Sequence, residues 1–152
     1  MHDNQLIFKD YSKSYFNECL SLFDKNCPQY FATNERNDYI NFLETPSKNY
    51  KVGFVAKAVT AVFGFDIDTI NERARITWIM TDPSAHSKGL GTEMIHYAKK
   101  MAREHKLKII DIAASHLSAP FFAKFGAITT REIKDGWGVN MHRIDMELPL
   151  EQ

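Results

Sequence analysis

The chain has 152 residues, 44% of them hydrophobic and 12% aromatic, which supports a single domain over 1–152 with a sizeable core. Its 19 Lys and Arg offset 19 Asp and Glu, so a general nucleic-acid or membrane surface, which needs a basic excess, is not expected. No apolar run is long enough to span a bilayer, and the two cysteines give no disulfide framework.

In chain order, residues 1–5 are polar and unlike a signal peptide, which with so few cysteines fits a reducing cytoplasm. Leu6, Ile7 and Phe8 read as a short first strand. Tyr15, Phe16, Cys19, Leu20 and Phe23 recur at helical spacing and predict a helix over 13–24, broken at Cys27-Pro28. Thr33 can cap a second helix with Glu35 in its first turn; Tyr39, Ile40 and Leu43 form its apolar side, and it ends before Pro46. Strands are predicted over 50–57 and 59–68, and a hairpin turn at 71–73 leads into another over 74–81. Met94, Ile95, Ala98, Met101 and Ala102 predict a helix over 89–105. The apolar stretch 107–113 is then a strand parallel to 74–81, joined to it by that crossover helix. A short helix over 118–124 closes at Gly126, and strands over 127–133 and 141–148 flank Asp135-Gly136-Trp137-Gly138. The order is βααβββαβαββ, without repeats, linkers or low-complexity segments.

The most informative stretch is 77–94. A strand stops at Asp82-Pro83-Ser84, two glycines follow one residue apart, and a helix begins. A helix start offers unpaired N–H groups and the positive end of a dipole, and glycine lets an anion approach that backbone. A dinucleotide fingerprint is excluded because Met94 stands where its third glycine would be, and no P-loop is present. What remains, His86-Ser87-Lys88-Gly89-Leu90-Gly91, resembles the coenzyme A pyrophosphate loop of the GNAT N-acetyltransferase superfamily, [RQ]-x-x-G-x-[GA]. Both glycines match, while His86 stands where Arg or Gln is usual. A second stretch, from Ser115 to Ala127, looks like that family's N-x-x-A-x-x-[FL]-Y-x-x-x-G-F segment, with Ser115 for Asn, Ser118 for Ala and Phe122 for Tyr. A bacterial branch of the superfamily has a similar Ser-x-x-(Ser/Ala)-x-Pro-Phe-Phe form, often with a C-terminal Asp-Gly-aromatic-Gly segment.

The element order is also that of the superfamily and covers the whole chain. The resemblance therefore implies a mixed α/β (α+β) fold, with a central, mostly antiparallel mixed sheet flanked by helices. It implies an N-acetyltransferase that moves the acetyl group of acetyl-CoA to a primary amine by direct attack in a ternary complex. Ile79, Met80 and Thr81 would then bind the pantetheine arm through their backbone, beside a strand bulge that opens the cleft. His86, Ser87, Lys88, Gly89, Leu90, Gly91 and Thr92 would hold the pyrophosphate, with Ser115, Ser118, Phe121 and Phe122 beside the pantetheine. In much of the family a tyrosine at position 122 is placed to protonate the departing thiolate.

For proton transfer the residues leave several choices. The carboxylates are Glu35, Asp66, Asp68 and Glu72; Asp66 and Asp68 alternate with Phe65 and Ile67 and so share one strand face. Asp66 is carried forward with Ser115 and His116, which sit at a strand end where the thioester is expected. Tyr30, Phe31 and Glu35 are candidates for acceptor specificity. No ligand-like cluster points to a metal. Two other readings stand beside the enzyme: a non-catalytic acetyl-CoA or CoA sensor, and an interaction module anchored by an exposed Trp137. Nucleic acid and membrane are not expected partners, and a homodimer is compatible with all of this.

Overall fold

The computed structural model describes residues 5–45 and 49–150, and of residues 86–88 the backbone alone. The chain runs β1 (Ile7–Asp10), α1 (Phe16–Asn26), α2 (Glu35–Glu44), β2 (Tyr50–Val55), β3 (Ala58–Asp68), β4 (Arg73–Thr81), α3 (Leu90–Glu104), β5 (Ile109–Ser115), α4 (Ala119–Ala123), β6 (Ile128–Gly138) and β7 (Met141–Pro149). This is the order expected from the sequence. The strands form one sheet in the order β1-β2-β3-β4-β5-β7-β6. Neighbours are antiparallel except β4 and β5, the pair joined by the α3 crossover.

Alternation along the strands gives the sheet two different faces. On one, Met94, Ile95, Ala98 and Ala102 of α3 pack over Phe63, Phe65, Ile76, Ile110, Ile112 and Met146. On the other, Cys19, Leu22 and Phe23 of α1 and Tyr39 and Leu43 of α2 cover Tyr50, Val52, Val62 and Met80. Beyond β4 this second face carries charge instead: the register sets Arg75 beside Asp111, Asp111 beside Glu147, and Arg131 beside Asp145.

The boundaries moved for local reasons. Residues 13–15 form a separate 3-10 turn, and α1 continues to Asn26, whose Nδ2 donates to Leu22 O at 2.9 Å and Thr81 O at 3.0 Å. The second helix is not capped by Thr33. It starts at Glu35, whose own carboxylate reaches back to the Ala32 N–H at 2.8 Å. Pro46 lies outside the described residues. β2 stops at Val55 because Ala56 and Lys57, at φ 51° and 70°, make the two-residue hairpin turn into β3. α3 ends on left-handed Lys106 (φ 58°), with Leu107 N–H on Ala102 O at 2.9 Å; that closure delays β5 to Ile109.

Candidate active site

β4 and β5 pair only from Arg73 to Ile76 against Ile109 to Ile112, and then separate. The cause is a bulge in β4. Between the pairs Gly64–Thr77 and Val62–Met80, Trp78 and Ile79 together face the single residue Phe63, with Trp78 at φ 44°. A non-glycine residue there needs support from its surroundings. Tyr50 OH donates to Trp78 O at 2.8 Å, and the Tyr39 and Tyr50 hydroxyls are also 2.8 Å apart. Burial raises both phenols well above their ordinary range, so they stay neutral donors. Trp78 stacks on Phe31 (centroids 6.0 Å) and packs against Tyr39 (5.0 Å). Gly64 is required because a Cβ there would collide with the Thr77 hydroxyl.

The separated strands open a cleft of about 860 Å³. Ile79, Met80 and Thr81 line it from β4; Gly89, Gly91 and Thr92 from the start of α3; Ser115, Ser118, Phe121 and Phe122 from β5 and α4. Gly89 has φ 77°, and a Cβ there would meet nothing within 4 Å. Gly91 differs: a Cβ would lie 2.8 Å from Phe121 Cζ, so this glycine also serves packing. Leu90 is buried and does not line the cleft. His86, Ser87 and Lys88 form a 3-10 turn with Pro83 just before α3, and their side chains lie outside what the structure describes.

Ser115 and Ser118 hold each other. Ser118 N–H donates to Ser115 Oγ and Ser115 N–H to Ser118 Oγ, both at 3.1 Å, with the hydroxyls 3.0 Å apart. Two hydroxyl protons serve this pair and the Ser115 carbonyl, leaving Ser115 able to turn one toward a ligand.

The opposite wall comes from the loop between α1 and α2 and from the β6–β7 hairpin. Tyr30, Phe31, Glu35, Trp78 and Trp137 face the cleft from there. Trp137 is not the exposed anchor expected from the sequence. Its Nε1 donates to Ala114 O at 3.0 Å, Asn34 Nδ2 donates to its carbonyl at 2.9 Å, and the Arg143 guanidinium lies 5.0 Å over its ring. A Cβ on the adjoining Gly138 would strike Asn34 and Ala32, so only glycine lets the hairpin seat against that loop.

Glu35 is the unusual charge in this wall. It is 5% exposed. Burial pushes its carboxyl up to about 7; the Ala32 N–H opposes the rise and Asp38 adds to it.

With this geometry in view, the sequence comparison is decisive: residues 25–148 match the family model of the acetyltransferase (GNAT) domain. The chain belongs to the GNAT acetyltransferase family. Its solved relatives by shape include Ard1 from Thermoplasma volcanium, with a TM-score of 0.78 at 12% identity over 97% of this chain and 99% of that one. Another is yncA from Salmonella typhimurium, solved with acetyl-CoA, with a TM-score of 0.71 at 12% identity over 98% and 96%. A third is an aminoglycoside 6'-N-acetyltransferase complexed with coenzyme A, at 0.73 and 10% identity over 96% and 98%. At such identities the likeness is one of fold. No curated protein sequence matches the chain significantly.

Within this GNAT cleft the three residues carried forward for proton transfer are not together. Ser115 lines the cleft; His116 and Asp66 do not. His116 Nδ1 accepts the His142 N–H at 3.1 Å, and its own N–H donates to His142 O at 3.0 Å, so the residue ties β5 to β7. Asp66 is exposed directly across from Arg75, in an adjoining pocket of about 240 Å³ that Arg75 and Asp111 also line. Asp68 is bound to Asn71 in the β3–β4 turn, and Glu72 pairs with Lys108 at 3.2 Å. Of the four carboxylates considered from the sequence, Glu35 alone lines the cleft. The distinguishing signal, burial under the α1–α2 loop, is tertiary.

Proposed function

We propose that the protein is an N-acetyltransferase that passes the acetyl group of acetyl-CoA to a primary amine by direct attack in a ternary complex. The observation that carries this reading is a buried carboxyl titrating near neutrality, Glu35, in the same cleft as the α3 start and the opened β4 edge. The residues suit the coenzyme: open space at left-handed Gly89 for phosphate beside the first-turn N–H groups of α3, and a freed β4 edge at Ile79–Thr81 for an amide-bearing arm. Acetyl-CoA supplies an activated acyl carbon.

The chain's residues then manage protons and position. Tyr30, Phe31, Trp78 and Trp137 give the cleft an aromatic lining of the kind that suits an ammonium. Glu35 accepts its proton, freeing the nitrogen lone pair to form the C–N bond as the C–S bond breaks. The departing sulfur takes a proton from water, directly or relayed through the Ser115 hydroxyl, which regains a proton from water as it gives one, and the second N–H proton passes to solvent.

Acetyl-CoA binds only the native state, so at 100 times its Kd it should add about 2.7 kcal/mol and raise the melting temperature visibly. Thiol release with an amine panel then separates an enzyme from a CoA sensor. A melting curve indifferent to saturating acetyl-CoA would remove the coenzyme site. Gly89→Ala places a side chain on a left-handed residue, at a folding cost of about 1 kcal/mol, and should weaken acetyl-CoA binding more than that. Gly91→Ala should instead lose stability mainly through Phe121. Calorimetric titration of both folded variants distinguishes these effects.

A further inference from the structure

On the floor of the cleft most charges are already committed. Arg73 bonds both oxygens of Asp111, at 2.8 and 2.6 Å, and one of Glu147 at 2.5 Å. Asp145 takes Arg143 at 2.7 Å on one oxygen and Arg131 at 3.2 Å on the other. Arg75, on β4 beside Asp111, behaves differently. The register puts Asp66 directly across on β3 and Asp111 directly across on β5. Its guanidinium pairs with neither, nor with any other acid among the described residues. It is exposed and lines the cleft.

A guanidinium has five donors in a planar fork that matches a carboxylate or phosphate. Of the acids around it, Asp111 already holds Arg73 on both oxygens, while Asp66, directly across, is exposed and makes no ion pair with Arg75. What the floor still offers is donors, at Arg75 and at the outer nitrogens of Arg131 and Arg143. Three steps along β4, roughly 10 Å of strand, lead from Arg75 to Trp78 at the aromatic wall. Arg75, the aromatic wall and Glu35 line the same cleft, where one small molecule can meet them together. A polycation would meet an unpaired positive charge here.

We propose that the acceptor is a primary amine that also carries an oxyanion, held by Arg75 while Glu35 takes the ammonium proton. This rests on the acetyl-transfer reading above. The test is thiol release from saturating acetyl-CoA with matched acceptors: lysine against cadaverine, histidine against histamine, phenylalanine against phenethylamine, and phosphoethanolamine against ethanolamine. The oxyanion-bearing member of at least one pair should have kcat/KM roughly tenfold to a hundredfold higher, the scale of hydrogen bonds to a charged group. The first three pairs report a carboxylate and the fourth a phosphate. Arg75→Gln should abolish that preference through the acceptor KM rather than kcat, and Arg75→Lys should restore part of it. Amines lacking the oxyanion that react equally well, or a preference that survives Arg75→Gln, would overturn the proposal while leaving acetyl transfer standing. Absence of turnover on every pair would remove acetyl transfer itself, and this proposal with it.

Discussion

Glu35→Gln should lower kcat/KM by about 10² to 10³ at pH 7.5, within the range for one positioned general base. Glutamine keeps an acceptor for the Ala32 N–H, so the helix start and the loop above it should survive. The pH profile is the sharper readout. In the wild type, kcat/KM should climb about tenfold per pH unit to an inflection near 7, where Glu35 becomes a carboxylate. In Glu35→Gln that inflection should vanish. Activity should then keep rising toward the pKa of the acceptor amine, roughly 10 by analogy with lysine, where the free amine needs no base. A variant with the wild-type profile would show that Glu35 does not take the proton.

The same substitution should change stability in the opposite sense. Between about pH 4.5 and 7 the folded state retains a proton on Glu35 that the unfolded chain has released. Stability therefore falls as pH rises through that window, and above it the buried carboxylate costs roughly 3 kcal/mol. Glu35→Gln should unfold like wild type at pH 4 and be more stable than wild type at pH 8. Urea denaturation at the two pH values measures the difference. A group that destabilises the fold at working pH while lining the cleft is the pattern expected of a functional carboxyl.

How far the sequence could be read follows from what kind of information each feature needs. The element order was legible because it rests on local periodicity and on punctuation by Pro28, Asp82-Pro83 and Gly126. The parallel β4–β5 pair was legible because a crossover helix dictates it. The wall built from the start of α3 and the β5–α4 turn was legible because its glycines and serines sit in contiguous segments: Ser115 and Ser118 are three residues apart and need only one turn to meet. The opposite wall was not. Trp137 reads as an exposed hairpin aromatic until β6 and β7 fold over the α1–α2 loop and Ala114 receives its indole N–H. Glu35 reads as a helix-start acid equal to any other until the fold buries it beneath the α1–α2 loop, where its carboxylate accepts the Ala32 N–H. Asp66 and Asp68 do share a strand face, as alternation required, but they pair in register with Arg75 and Arg73, on the far side of Thr77 from the bulge. Which end of a face meets the cleft depends on where β4 breaks its pairing with β5, and Trp78 sets that through contacts with α1, α2 and β2.

Phe122→Tyr should raise turnover by up to about 10², the lower range for one general acid. Phe122 lines the cleft yet is 4% exposed, packed edge-on to Phe121 with centroids 5.3 Å apart. Phenylalanine has no proton to offer the departing sulfur. The gain has a ceiling because a thiol with a pKa of roughly 8.5 leaves without much assistance. A hydroxyl buried at this depth costs about 1–3 kcal/mol where it is left without a partner. Apo Phe122→Tyr should therefore melt below wild type, and saturating CoA should recover part of the deficit as the sulfur or a water meets the hydroxyl. In the wild-type background Ser115→Ala tests the native donor, although it also breaks the bonds to Ser118 N–H and Oγ. Ser118→Ala controls for that loss by disturbing the same pair from the other side. A fall in kcat with Ser115→Ala but not Ser118→Ala assigns the proton to Ser115; equal falls reduce the pair to a structural clasp, and no fall leaves water as the donor. His116→Ala should lower stability without altering the pH profile, because its Nδ1 is occupied by the His142 N–H. Should wild type release no thiol with any amine while Phe122→Tyr does, the native chain is a CoA-binding sensor that lacks only its acid.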